Sequence, residues 1–249
     1  MPISAFLITL NEEERIAHTL NSLKWTDEQI VVDGGSKDNT CEICREKGAK
    51  VFHRPFDDFE NQKNYALSLA TNDWVLSIDA DEIVSPELAE EIKEIISQAT
   101  PKAAYQIKRI NYFLGKPLHF GGQGNDFVLR LFKKSFGKFS GIVHEEVQIS
   151  GEVGTLRIPL RHLSTETLTE YYEKLKLYTD LDARRIVADH KTPSFIKAVC
   201  YPPLRWILNY ILRFGFLDGR RGFLFHALSC HYGWLKYFKA RTISKRSSR

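Results

Sequence analysis

Four short apolar runs, at residues 3–10, 29–33, 50–53 and 73–79, alternate with three stretches whose apolar residues recur at helical spacing. Nothing else in the sequence limits the fold as much. A strand, helix, strand rhythm repeated this regularly predicts a doubly wound, mostly parallel sheet, because parallel neighbours need a long crossover and a helix fills it. In such sheets ligands bind just past the carboxyl ends of the strands. Residues found there are therefore the first functional candidates.

The local signals agree. Residues 3–10 read as a strand covered on both faces, apolar except for Ser4 and Thr9. Asn11 is placed to cap the next helix, with Glu12, Glu13 and Glu14 in its first turn, and Ile16, Leu20 and Leu23 follow at helical spacing. Gly48 is expected to stop the second helix. A third helix is predicted over 59–70. Ser85 with Pro86 marks the start of another.

The run at 73–79 ends in Asp79, Asp81 and Glu82. Three carboxylates this close repel one another unless a cation or hydrogen-bond donors lie between them. A hard divalent metal that also takes phosphate oxygens would satisfy them. A solvated acidic turn is the competing reading of this stretch alone. Asn11 with Glu12, Asp33 with Gly34 and Gly35, and Asp79 with Asp81 all follow strand ends, so one crevice can collect them. Gly34-Gly35-Ser36 matches neither the dinucleotide fingerprint nor a triphosphate loop; it reads as a tight turn that lets a ligand approach backbone N–H groups.

Ile8-Thr9-Leu10-Asn11-Glu12-Glu13, Val32-Asp33-Gly34-Gly35-Ser36-Lys37-Asp38-Asn39-Thr40, Gln62-Lys63-Asn64-Tyr65-Ala66 and Asp79-Ala80-Asp81-Glu82 stand in this order. Together they resemble the family-2 glycosyltransferases of GT-A (Rossmann-like) fold. The resemblance covers about the first 150 residues well and extends more loosely toward the bacterial lipopolysaccharide-core glucosyltransferase branch. It implies an inverting transferase that moves a hexose, glucose being the expected one, from a UDP-sugar to a hydroxyl of a lipid-linked saccharide. By the same resemblance Asn11, Glu12, Asp33, Gly34, Lys63, Asn64 and Asp79 line the nucleotide-sugar pocket. Asp79 and Asp81 match the Asp-x-Asp signature for Mg²⁺ or Mn²⁺, with Asp81 the better ligand. The chain has Asp-Gly-Gly-Ser where many relatives carry a second acid or a serine after the first Asp, which leaves Asp33 as the nucleotide contact.

Inversion in one step requires a general base on the acceptor side. In the second half, strands are expected at 103–111 and 126–132 around a loop with Gly115, Gly121, Gly122 and Gly124, a candidate cover for the donor sugar. Beyond them a glycine-rich turn leads to His144-Glu145. An imidazole beside a carboxylate can exchange protons, so Glu145 is the candidate base and His144 a metal or phosphate neighbour, with swapped roles open. Residues 148–149 and 155–158 suggest a hairpin around Gly151 and Gly154. A long polar helix follows over 165–190, with Leu168, Tyr172, Leu175 and Tyr178 on one face.

Charge is distributed unevenly. Residues 1–100 hold nine Lys and Arg against twenty Asp and Glu, a net of −11; residues 190–249 hold twelve against Asp218 alone, a net of +11. In 194–249 the basic residues interleave with aromatics, which suits an anionic membrane surface or a homo-oligomer interface. Nucleic acid is discounted for want of a recognition motif. His226, Cys230 and His231 lack a fourth ligand for zinc. Four cysteines fit a reducing compartment, and Cys41 and Cys44 read as helix-packed thiols. No run approaches the ~20 residues of a membrane span, and no signal peptide is expected. The resulting expectation is a GT-A domain over 1–160 and a helical extension over 161–249. The protein would be cytoplasmic and peripheral on the inner face of the cytoplasmic membrane, taking a UDP-sugar donor and a glycolipid acceptor. A nucleotidyltransferase and a noncatalytic sugar-nucleotide or lipid-binding protein are the open alternatives.

Overall fold

The computed structural model describes residues 1–141 and 146–247. Contacts divide the chain into two compact units, residues 1–109 with 126–162, and residues 110–125 with 163–249.

The first unit opens with the expected alternation: β1 (Ile3–Thr9), α1 (Ile16–Ser22), β2 (Glu28–Asp33), α2 (Thr40–Glu46), β3 (Lys50–His53), α3 (Phe59–Leu69) and β4 (Trp74–Ser77). It continues through β5 (Glu82–Ile83), α4 (Pro86–Ile96), β6 (Ala104–Phe113), β7 (Lys116–Pro117), β8 (Asp126–Lys133), β9 (Gly137–Ser140), β10 (Glu146–Ile149), β11 (Val153–Thr155) and β12 (Leu160–Thr165), of which β7 and the ends of β6 and β12 belong to the second unit. The main sheet has the order β3-β2-β1-β4-β8-β6-β12-β5. Its first four strands are parallel, whereas β8 runs antiparallel to both β4 and β6, so the sheet is mixed beyond β4. Buried side chains cover both faces. Leu7, Leu20, Leu76, Leu88 and Ile92 belong to one apolar cluster; Phe6, Val32, Val75, Phe132 and Phe139 belong to the other. Each such side chain contributes about 1.5–3 kcal/mol when fully buried. Ser85 caps α4 by accepting from the Leu88 N–H, and Asp58 caps α3 by accepting from Asn61.

Several local expectations are corrected. Asn11 does not cap a helix: its φ is +54°, the chain makes a turn over Glu12–Arg15, and α1 starts four residues later than its acids suggested. The region at 146–158 is not a hairpin. β10 pairs antiparallel with the preceding β9, and β11 adds in parallel to the distant edge of β6.

One buried carboxylate ties three elements of this unit. Glu28 accepts from Ser4 Oγ, Lys50 Nζ and both the N–H and hydroxyl of Thr71, at 2.6–2.9 Å. Burial alone would raise its carboxyl; these donors outweigh that and hold it at about 2. A carboxyl depressed from about 4.5 stabilises the fold above that pH and loses the contribution as pH falls toward 2, a change of about 3 kcal/mol. Glu28→Gln is expected to flatten the acid limb between pH 4.5 and 2 in urea titrations while lowering stability at pH 7. An unchanged pH slope would show that the carboxylate is not held as described.

The second unit holds α5 (Leu168–Ala188), α6 (Phe195–Trp206), a π-helical segment (Ile207–Leu212), a 3-10 turn (Gly215–Asp218) and α7 (Gly219–Ser247). Residues 110–125 cluster with it rather than with the sheet domain to which the sequence had assigned them. Asp218 accepts from the N–H groups of His119 and Phe120, Gly121 N–H donates to the Arg213 carbonyl, and Phe113, Leu118 and Leu228 pack together. The glycine-bearing loop is thereby tied down at several points. On α5 the buried stripe is Leu175, Thr179 and Ala183, whereas Leu168, Tyr172 and Tyr178 are exposed. Among the described residues no helix is long and apolar enough to cross a membrane.

Candidate active site

β1, β2 and β4 end side by side, with Thr9 opposite Asp33 and Phe6 opposite Ser77. Their carboxyl ends bring together Asn11, Asp33 and Asp79. The loops after β1 and β2 are stitched into one wall. Asn11 N–H donates to Ser36 Oγ, its side-chain oxygen accepts from Lys37 N–H, and Glu12 N–H donates to Thr40 Oγ1, each at 2.8 Å. Asp33 is buried and accepts from Gly35 N–H, Ser36 N–H and Ser36 Oγ, with His53 Nδ1 at 3.3 Å. Burial pushes its carboxyl up, but Ser36 and Gly35 outweigh that and keep it below the ordinary value. The loop packs tightly at Gly34, where a Cβ would lie 3.3 Å from Phe56 Cβ.

The acidic turn after β4 separates into two environments. Asp79 receives Lys63 Nζ at 3.0 Å and the Arg130 guanidinium on its other oxygen. Glu82, fully buried, receives Arg130 at 2.6 Å and Arg109 at 3.4 Å, while Arg109 also donates to Asp126 at 2.8 Å. Burial opposes the ionised form of Asp79, yet Arg130 and Lys63 hold its carboxyl far below the usual carboxylate range. Three carboxylates and three cations thus balance within the protein. Of the crowded acids that suggested a metal, Asp79, Asp81 and Glu82, the first and last are met by basic side chains. Asp81 Oδ2 lies 3.3 Å from His162 Nε2.

Lys63 and Asn64 sit on α3 with different tasks. Lys63 is buried against Asp79. Asn64 uses its amide to clasp the Phe139 backbone, donating to the carbonyl at 2.9 Å and accepting from the N–H at 3.0 Å. Its hydrogen-bonding groups therefore fix β9 to α3. His144 and Glu145 lie outside the described residues. Arg130, Arg109, His162 and His53 were not among the sequence candidates. Arg130 had a signal, being a lone charge inside the apolar run Val128-Leu129-Arg130-Leu131-Phe132. His162 had none, since its role depends on β12 pairing with β5 so that His162 lies opposite Glu82.

A parallel α/β half-sheet with a loop clamped past β2 and carboxylates past β4, extended by antiparallel strands, is the frame of a GT-A transferase. The chain belongs to glycosyl transferase family 2, whose model matches residues 4–144. An uncharacterized glycosyltransferase of Rickettsia typhi is 32% identical, with 98% of this chain and 88% of that protein covered. The lipopolysaccharide core biosynthesis glycosyltransferase LpsC of Rhizobium meliloti is 30% identical over 88% of this chain and 82% of its own length. Glucosyl-3-phosphoglycerate synthase from Mycobacterium tuberculosis, crystallised with Mn²⁺, UDP and glucosyl-3-phosphoglycerate, is 26% identical, with 45% of this chain and 44% of that one covered and a TM-score of 0.36.

Proposed function

We propose that this glycosyltransferase transfers a hexose with inversion from a UDP-sugar to a hydroxyl of a lipid-linked saccharide of the cell envelope, at the cytoplasmic face of the membrane. The observation that carries the donor side of this reading is the pairing of Asp81 with His162 just past the carboxyl end of β4. A carboxylate with an imidazole at 3.3 Å fits a divalent cation. Asp81 and His162 would hold Mn²⁺ or Mg²⁺, and the ion when bound neutralises charge developing on the departing diphosphate. Lys63 and Arg130 hold Asp79 and the turn rigid, so that Asp81 is presented without reorganisation. The loop at 33–36 offers the wall against which the nucleoside packs, with Asp33 locked by Ser36 and Gly35. Similarity to LpsC supports a saccharide acceptor of lipopolysaccharide-core type.

A screen of sugar nucleotides by thermal shift with Mn²⁺ present tests the donor, since a ligand that binds only the folded state stabilises it by mass action. One UDP-hexose is expected to raise the midpoint well above the others; no response to any sugar nucleotide would remove the reading. Glu145 is proposed as the base that takes the acceptor proton. Glu145→Gln is expected to bind donor normally yet lose about 10²–10⁴-fold in turnover, and full turnover by this variant would place the base elsewhere.

Association with an anionic membrane surface is supported by the second unit, where Phe195, Ile196, Leu204, Leu212, Phe214 and Leu217 are exposed among basic residues. Sedimentation with phosphatidylglycerol vesicles, weakened by salt, is the expected behaviour.

A further inference from the structure

The second unit contains a cavity of about 260 Å³ between α6 with its π-helical continuation and α7. Glycine makes the approach of the two helices close: a Cβ at Gly233 would lie 3.1 Å from Pro202 Cβ. The departure from α-helical geometry at Ile207–Leu212 follows the Pro202-Pro203 pair, and such π segments recur at functional sites. Among the lining residues are Arg205, Lys236, Asn209, Trp206, Tyr237 and His226, and no carboxylate lines the cavity.

Three of these side chains bear on what would bind. Arg205 is exposed and has no ion-pair or hydrogen-bond partner among the described residues. Lys236 adds a second cation, 3.3 Å from Asp182 and over the rings of Tyr232 and Tyr237. His226 is 3% exposed and lines the cavity. Gly121 and Gly215 leave room for that ring, since a Cβ at either would fall within 2.5 Å of its Nε2. Burial lowers its basicity despite Asp218, and a neutral imidazole brings one donor and one acceptor. The volume lies just below the ~300–1,000 Å³ of drug-sized ligand sites, the scale of one hexose or one headgroup.

We propose that this cavity binds a phosphate monoester carried on a saccharide or a lipid headgroup. Arg205 takes the terminal phosphate through its planar fork, Lys236 adds the second charge, and Asn209 and His226 meet hydroxyls of the attached group while Trp206 and Tyr237 pack against its carbon face. The site lies wholly in the helical unit, so it stands whether or not the donor assignment above is correct.

Calorimetric titration of the full chain with glucose 6-phosphate, glucuronate and glucose tests the chemistry. Glucose 6-phosphate is expected to bind at least ten-fold more tightly than the other two. Arg205→Ala is expected to abolish that preference, Arg205→Lys to retain part of it, and Lys197→Ala, which removes the same charge outside the cavity, to leave it intact. Thermal midpoints without ligand report that each variant is folded. Vesicles containing phosphatidic acid, with phosphatidylglycerol as the diester comparison, distinguish the sources. Arg205-dependent binding to phosphatidic acid that glucose 6-phosphate does not match assigns a lipid headgroup, whereas binding of the soluble ester assigns a phosphorylated saccharide. Equal losses from Arg205→Ala and Lys197→Ala, or no preference for a monoester in either arm, would overturn the proposal. Retained binding of a UDP-sugar in the same preparations would show that such a failure concerns this cavity alone.

Discussion

Asp81→Ala will reduce glycosyl transfer by about 10³-fold or more while leaving the protein folded. Removing one group that stabilises a developing oxyanion costs about 3–4 kcal/mol, and each 1.4 kcal/mol is a factor of ten in rate. The proposed cation serves the same purpose on a diphosphate that gains charge as the glycosidic bond breaks. The Asp81 side chain is partly exposed, so its truncation is expected to leave the fold intact. The measurement is steady-state transfer at saturating Mn²⁺, with a thermal midpoint for each variant. Asp79→Asn should show the opposite balance, because it leaves Lys63 and Arg130 short of a carboxylate and so lowers stability. If Asp81→Ala turned over within ten-fold of the parent, the metal would have to be held by other residues.

Arg130→Met is expected to destabilise the first unit by about 3–5 kcal/mol, the scale on which removal of one partner from a buried ion pair acts. Its side chain is 7% exposed and reaches both Asp79 and Glu82. Without it two carboxylates on one turn face each other with Lys63 and Arg109 alone. The loss should appear as a lower urea midpoint with the slope unchanged, together with an Asp79 turn too mobile to present Asp81. The double variant Arg130→Met with Glu82→Gln should cost less than the sum of the two, since the second change removes a charge the first has orphaned. A loss below about 1 kcal/mol would mean that the turn is held chiefly by packing.

The parallel half of the sheet was readable because its signals are local. β1 and β4 are buried along almost their whole length and show as apolar runs, and the edge strand β3 begins and ends at the residues its pattern marks. Ser85-Pro86 and Asp58 announce helix starts through hydrogen bonds made within four residues. The same locality misled at Asn11. Three acids after a polar residue resemble a helix start, but the backbone there turns into the left-handed region to meet Ser36 and Lys37, 25 and 26 positions away. Strand partners beyond β4 were also beyond reach. β11 and β10 are too short to specify which edge they join, and the pairing follows from where β6 and β9 happen to lie.

Within the site, the sequence by itself determined which residue types gather at the ends of β1, β2 and β4, since strand order and the right-handed crossovers of a parallel sheet carry them there. Only the tertiary structure decided which partners each acid meets, Lys63 and Arg130 at Asp79 and His162 at Asp81. Asp79 and Asp81 are two residues apart on one turn, and nothing local distinguishes them. Arg130 arrives from β8, Lys63 from α3 and His162 from β12, across 51, 16 and 81 positions. Electrostatic environment depends on distance in space, falling within a few ångströms, and a linear sequence records it only where those distant elements are already placed.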